Sequence, residues 1–308
     1  MSKKQVVSGI LLIDKPSGIS SHSALAKAKF LLKSDAHDSK KAGHTGTLDP
    51  MATGLLPLCF GEATKFAQYG LDADKGYLAT IKLGSQTDTG DQDGQVVANK
   101  PVLPFAQSDL QAVADSLTGE QMQVPPMYSA LKKDGKKLYE YARDGIEIER
   151  AARPIYITSL DLSQIDDQSM SLSVVCSKGT YVRVLGETVA ERLGTLGHLT
   201  ALRRCATGGF SLNQAISLDA LEQLDFDARL ARLLPVDALL EHLPIVLLDS
   251  DETARIKMGQ RLNIKNRIGE LNFKGDVCQV RLYHDGEFVG LGQVEPNGRL
   301  QPLRVVQR

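Results

Sequence analysis

Apolar and polar positions change period several times along the chain, and each change predicts an element. Residues 9–14 (GILLID) are an apolar run of strand length, closed by Lys15-Pro16-Ser17-Gly18, a combination that turns the chain. Ala24, Leu25, Ala28, Leu31 and Leu32 then share one face of a helix reaching about Lys33, with Ser20, Ser21 or Ser23 as its cap. Residues 43–54 hold three glycines and a proline, so a loop is expected there. Residues 77–83 alternate as a half-buried strand, and another begins at Val96 after a polar stretch, 85–94, that reads as a long hairpin connection.

Residues 106–118 follow a helical period, but Pro125-Pro126 resists both helix interior and sheet centre and starts an irregular excursion. It runs past Lys132, Lys133, Lys136 and Lys137 and a short helical signal at 138–143, and returns near Arg153-Pro154. Strands are predicted at 155–162 and 170–176. Gly179 to Arg183 then leads into a helix ending near Gly194, with residues 181 and 183 expected on one face of a strand. Helical, acid-rich sequence at 217–240 gives way near 244–250 to short strands, and Asp285-Gly286 between two alternating runs marks a hairpin. The chain is thus expected to divide into a large unit, 1–245, and a small β-rich one, 246–308. No internal repeat is present.

Length and composition narrow the class. With 308 residues, 42% hydrophobic and 24% charged, the chain can bury a sizeable core, which excludes a disordered or coiled-coil protein. No run approaches the ~18 apolar residues of a membrane helix, and Asp14 and Lys15 interrupt the first apolar segment, so neither a membrane span nor a secretory signal is expected. Cys59, Cys176, Cys205 and Cys278 are far apart and read as buried thiols of a reducing cytosol rather than metal ligands. The net charge of −1 hides segregation. Residues 1–41 carry eight Lys/Arg against three Asp/Glu and 178–204 five against two, while 85–120 carry six acids against one lysine. Such separation can build a basic face for a polyanion.

Familiar cofactor motifs are missing. There is no GxxxxGK[ST] phosphate loop and no strand-linked GxGxxG. Asp88-Thr89-Gly90 lacks a second aspartic-protease copy, Asp91-Gln92-Asp93-Gly94 lacks the closing glutamate of a calcium loop, and His22 stands where a GxSxG elbow requires glycine. Asp49 is different. Glycines on both sides let the backbone approach a ligand, Pro50 restricts the turn, and His44 is near, so its carboxylate is presented as a nucleophile or general base.

AGHTGTLDPMATGLLP with GEATKF resembles the catalytic loop of TruB-type tRNA pseudouridine synthases, the bacterial enzymes that modify uridine in the TψC arm. DKPSGISS, KGYLATIKLGSQTDTGDQDG, PPMYSALKKDGKKLYEYARDGI, CSKGTYVRVLGE and LRR are similar to further family motifs in the family's order, so the resemblance covers roughly residues 9–210. It implies an α+β fold with a large mixed, mostly antiparallel sheet, a small C-terminal PUA-like RNA-binding domain at 246–308, and an RNA-gripping insertion at about 124–153. It implies isomerisation of the uridine at tRNA position 55 to pseudouridine by a cytoplasmic monomer that binds tRNA and uses no cofactor or metal.

Residue by residue, the resemblance makes Asp49 the catalytic aspartate, His44 a loop residue beside the RNA, and Tyr77 the tyrosine stacked on the target base. It makes Tyr181 a pocket wall, Arg183 the partner of Asp49 that lowers its pKa, Leu202 an apolar wall, and Lys15 a lysine near the entrance, with Asp91 in support behind them. Phosphate contacts are expected from the N-terminal basic residues, the 132–137 lysines and Arg203-Arg204. The chain departs from the pattern at Glu187-Thr188-Val189-Ala190 and at His22. The alternative function is a noncatalytic tRNA-binding or RNA-folding protein with the same groove.

Overall fold

A computed structural model describes residues 4–271, 273 and 276–307; Lys3, part of the basic N-terminal segment, and parts of the 246–308 unit lie outside the described residues. The strand Gly9–Lys15 forms where its apolar run predicts, and pairs antiparallel with Thr53–Phe60. The sequence reading assigns no strand at 53–60, because Gly54 and Pro57 interrupt it. The segment is nevertheless buried over seven of its eight residues, and burial outweighs its low strand propensity.

These two strands belong to a ten-stranded sheet of mixed direction. Its central strand, Gly197–Thr207, pairs parallel with Thr53–Phe60 on one side and antiparallel with Lys75–Leu83 on the other. Ser169–Cys176, Arg153–Asp166 and Gly119–Gln123 continue it antiparallel to the edge. The strand Val96–Asn99 does not pair with residues 75–83 as the hairpin reading expects. It pairs instead with Ser85–Thr87 in a separate two-stranded ribbon, because Lys75–Leu83 already has a partner on each side.

Helices cover one face of the sheet. Leu110, Val113, Ala114 and Leu117 of Gln107–Leu117, and Leu185, Val189 and Ala190 of Val182–Arg192, meet Ile81, Leu172, Val174 and Leu199 in the main core. The helix Ser21–Leu31 is capped by Ser20, whose Oγ accepts the Ser23 N–H at 3.0 Å. The acid-rich stretch after 217 forms two short helices, Leu218–Gln223 and Phe226–Leu230. No helix among the described residues is long and apolar enough to cross a membrane. All four cysteines are free, and Cys205 is only half-buried.

Residues 245–305 form a five-stranded sheet around their own core of Ile256, Val280, Leu282 and Leu300. Asp285 and Gly286 both have positive φ, 49° and 77°, the geometry a two-residue hairpin needs to match strand twist. A buried polar joint ties this sheet to the rest. Asp237 accepts the Tyr283 hydroxyl at 2.6 Å and Arg281 Nη1 at 3.2 Å, and the Phe66 and Phe288 rings meet edge-on at 5.4 Å.

Gly54 explains how the central parallel pairing comes close enough to build the site. Its φ is +102°, and a Cβ placed there would lie 2.3 Å from the Arg204 carbonyl oxygen. Gly54→Ala is therefore expected to cost about 2–4 kcal/mol, read as a fall in the urea midpoint. Gly18→Ala, also at positive φ (+84°) but facing open space, should cost only about 1 kcal/mol. Equal losses in the two would contradict the close-approach argument.

Candidate active site

The loop bearing Asp49 has few ladder hydrogen bonds of its own, so the segment 15–21 holds it. Ser21 Oγ accepts the Leu48 N–H at 2.7 Å and donates to the Leu48 carbonyl at 2.9 Å. Gly18 N–H donates to the Pro50 carbonyl at 2.9 Å, and Ser17 Oγ to that of Met51 at 3.1 Å. Ser21 is thus a brace for the residue before Asp49 rather than a helix cap. Lys15 is not at an entrance. Its side chain is fully buried, and Nζ donates to the carbonyls of Pro16, Ile19 and Pro50 at 2.8, 2.8 and 3.3 Å. Burial pushes its pKa down to about 8, against the pull of Asp49, and the three carbonyls occupy all three of its donors.

Asp49 faces a cavity of about 350 Å³ whose lining includes Tyr77, Tyr181, Arg183, Leu202 and Arg204. Five of the seven residues singled out from sequence meet here; His44 and Lys15 do not line it. His44 ends the short strand Ala42–His44 beside the loop, where burial, Arg204 and His22 hold its pKa down. Tyr181 and Arg183 reach the cavity from a different element than expected. The helix starts at Val182, so Tyr181 is its extended N-cap and Arg183 sits in its first turn. The apolar spacing of Val182, Leu185, Gly186, Val189 and Ala190 favours helix over strand at this point.

Arg183 is the organising charge. Its Nε lies 2.9 Å from Asp49 Oδ2 and 3.5 Å from Asp91 Oδ2; Nη1 donates to the Thr89 carbonyl at 2.6 Å and Nη2 to that of Tyr128 at 2.8 Å. Asp91 is fixed in turn by the Thr89 hydroxyl at 2.6 Å and the Asp93 N–H at 3.1 Å. Glu187, where the chain departs from the family pattern, accepts from Gln86 Nε2 at 3.2 Å on the same helix face as Arg183. Arg183 lowers the Asp49 pKa as expected, but it is outweighed. Burial raises it, Arg183 opposes, Asp91 adds to the rise, and the net direction is upward. The Asp49 side chain keeps 37% of its surface open, but the surrounding protein displaces enough water for desolvation to prevail.

Arg204 is a second hub rather than a phosphate contact. Only 1% exposed, it donates from Nε to the Leu55 carbonyl at 2.7 Å and from Nη2 to that of Gly46 at 3.2 Å, and its charge opposes the rise in the Tyr77 pKa. Arg203 points to the other face, where Nη2 pairs with Asp14 at 2.7 Å. Lys75 lines the cavity too, and burial lowers its pKa to about 8 while Nζ donates to the Leu71 carbonyl at 2.8 Å. Strand alternation carries the signal for both residues, because Lys75 shares a face with Tyr77 and Arg204 with Leu202. Desolvation raises the pKa of the Tyr77 and Tyr181 hydroxyls, so both stay protonated at neutral pH.

Residues 34–182 match the model of the TruB family pseudouridylate synthase N-terminal domain, and residues 244–306 that of the pseudouridine synthase II TruB C-terminal domain. A tRNA pseudouridine synthase B of Psychrobacter cryohalolentis is 49% identical, the match covering 98% of this chain and 94% of that protein. One of Aromatoleum aromaticum is 51% identical over 99% and 94%. The chain belongs to the TruB family. Among solved structures, a chain of a Cbf5-Nop10-Gar1 complex aligns with a TM-score of 0.72 at 24% identity, over 98% of this chain and 84% of that one. A chain of an H/ACA RNP bound to a substrate RNA containing 2'-deoxyuridine also gives 0.72, at 21% identity, over 97% and 85%. At such identity the likeness is one of fold, and it assigns the large mixed sheet of this TruB-family chain to the pseudouridine-synthase architecture.

A titration of the Asp49 carboxyl by ¹³C NMR is expected to give a midpoint above the ordinary aspartate value. Arg183→Met removes the main lowering influence and should move it further up; Asp91→Asn removes a raising one and should move it down. A midpoint at or below the ordinary value in the unaltered protein would overturn the assignment of burial as the dominant cause.

Proposed function

We propose that this TruB-family chain isomerises the uridine at position 55 in the TψC loop of tRNA to pseudouridine, with Asp49 as the group that acts on the nucleotide. The observation that carries the reading is the placement of the Asp49 carboxylate against Arg183 on the wall of a cavity faced by Tyr77, Tyr181 and Leu202. In this reaction the bond from ribose C1′ to uracil N1 breaks, the base turns, C1′ bonds to C5, and the C5 hydrogen leaves as a proton while N1 gains one. No electrons or atoms are exchanged with a second substrate, which fits a cofactor-independent enzyme. Attack on the ribose, attack on the base, or removal of a sugar proton all require Asp49 to be ionised, and Arg183 holds its oxygen in one orientation for that step.

A uridine stacked in a folded loop is out of reach, so the base flips out, at a cost of a few kcal/mol offset by stacking on Tyr77 between apolar walls. Arg204 contributes a positive charge near Tyr77, and His44 lies beside the bound loop. The carbonyl of Tyr128 on Arg183 ties the insertion at about 124–153 to the same centre. In this reading the insertion's exposed Lys132 and Lys133 grip the RNA backbone. Residues 1–245 carry the cleft and 246–308 add RNA contacts as a PUA-like module. The enzyme works as a cytoplasmic monomer.

The test is release of tritium from tRNA transcript labelled at uridine C5. The unaltered protein should release it promptly without added metal or nucleotide. Asp49→Ala should lose roughly 10³-fold or more of the rate while binding tRNA as before. Binding by the unaltered protein with no release would favour the noncatalytic tRNA-binding reading.

A further inference from the structure

Gln123 is the last residue of the strand Gly119–Gln123, at the sheet edge and immediately before the insertion. Only 7% exposed, it does not reach the cavity. Its amide lies along the backbone of Tyr181. Oε1 accepts the Tyr181 N–H at 2.8 Å, and Nε2 donates to the Tyr181 carbonyl at 3.1 Å. Tyr181 is in an extended conformation, φ −97° and ψ 107°, with no side-chain cap for the helix that follows. Its N–H precedes that helix and so has no partner within it. The side chain of Gln123 thus forms the two-bond rung that a neighbouring strand would form with an extended residue.

We propose that Gln123 is a positioning residue for the isomerisation: it fixes the backbone from which Tyr181 enters the cavity and, two residues on, the direction of Arg183. This rests on the function proposed above. The sequence between its two anchors supports it. Val124-Pro125-Pro126-Met127 separates Gln123 from Tyr128, whose carbonyl accepts from Arg183 Nη2 at 2.8 Å. Two prolines restrict the backbone and lack N–H groups, so the segment 123–128 is a stiff strut touching residues 181 and 183 at its ends. Glutamine suits the task because one amide supplies both an acceptor and a donor at matched spacing. Glutamate would lose the donor, and methionine would fill the space with neither.

The experiment compares Gln123→Met and Gln123→Glu with the unaltered protein by hydrogen exchange at the Tyr181 amide, steady-state tritium release and tRNA binding. Gln123→Met should exchange at least about tenfold faster at Tyr181 and lose roughly 10–100-fold in kcat, the scale of a misplacement of about 1 Å, with KM and tRNA affinity within about twofold. Gln123→Glu keeps the acceptor, so its Tyr181 exchange should stay slow and its loss in kcat should be smaller; it also decides the matter if Gln123→Met does not fold. Unchanged exchange and kcat in Gln123→Met, equal kcat losses in the two variants, or a loss confined to tRNA affinity would overturn the inference. If the unaltered protein releases no tritium, it is the proposed activity that fails. The Tyr181 exchange rates then decide the clamp alone, fast exchange in Gln123→Met supporting it and slow exchange overturning it.

Discussion

A guanidinium taken out of water must be met on every side or expelled, and this site is arranged around meeting that of Arg183. Its partners come from three separate segments: the Asp49 loop, the Thr89–Asp91 turn and the Tyr128 end of the insertion. None of these is regular structure, and each alone would be free to move. The desolvation cost of the buried charge, several kcal/mol unless it is paired and hydrogen-bonded, converges them on one point. Asp49 is the more open of the two carboxylates on Arg183, 37% of its side chain exposed against 7% for Asp91, so the charge that holds the loops together also leaves a carboxylate at the cavity.

The same logic recurs around it. Loops rich in glycine and proline cannot pair their backbone groups in a ladder, so side chains from better-ordered elements take the ladder's place. Ser21 does this for Leu48, Gln123 for Tyr181, and Arg204 for Gly46. Each is nine-tenths or more buried, and each bonds to main chain instead of to another side chain. The loop portions of the cavity wall are therefore irregular in conformation but fixed in position, set against the strands that carry Tyr77 and Leu202.

Much of this was legible in the residues themselves. Alternation located a strand at 77–83, which the fold extends to Lys75–Leu83; the Asp285-Gly286 pair located a turn; the double proline located the insertion's start. What was hidden had a physical cause in each case. Thr53–Phe60 carries a glycine and a proline that argue against a strand, and only tertiary burial overrides them. Residues 181–183 fit strand and helix equally over so short a stretch, and the apolar period beyond them decides. Basic residues look like phosphate ligands in a sequence, whereas Lys15 and Arg204 spend their donors on carbonyls brought close by the fold. The sign of the Asp49 shift depended on how much water the cleft admits, which no local pattern encodes.

The parallel pairing of Thr53–Phe60 with Gly197–Thr207 carries a consequence for biosynthesis. Arg204 and Leu55, joined across it, are 149 residues apart in the chain. While the protein is being made, the Asp49 loop therefore emerges long before either arginine that will hold it. Helix Ser21–Leu31 and the pairing of Gly9–Lys15 with Thr53–Phe60, across residues 16–52, close before the cleft, which waits for distant sequence to arrive and for the entropy of that larger closure to be met. A chain that ends between the Asp49 loop and Arg183 holds the reactive carboxylate without its counter-charge, so such a prematurely ended product has the loop but not the site.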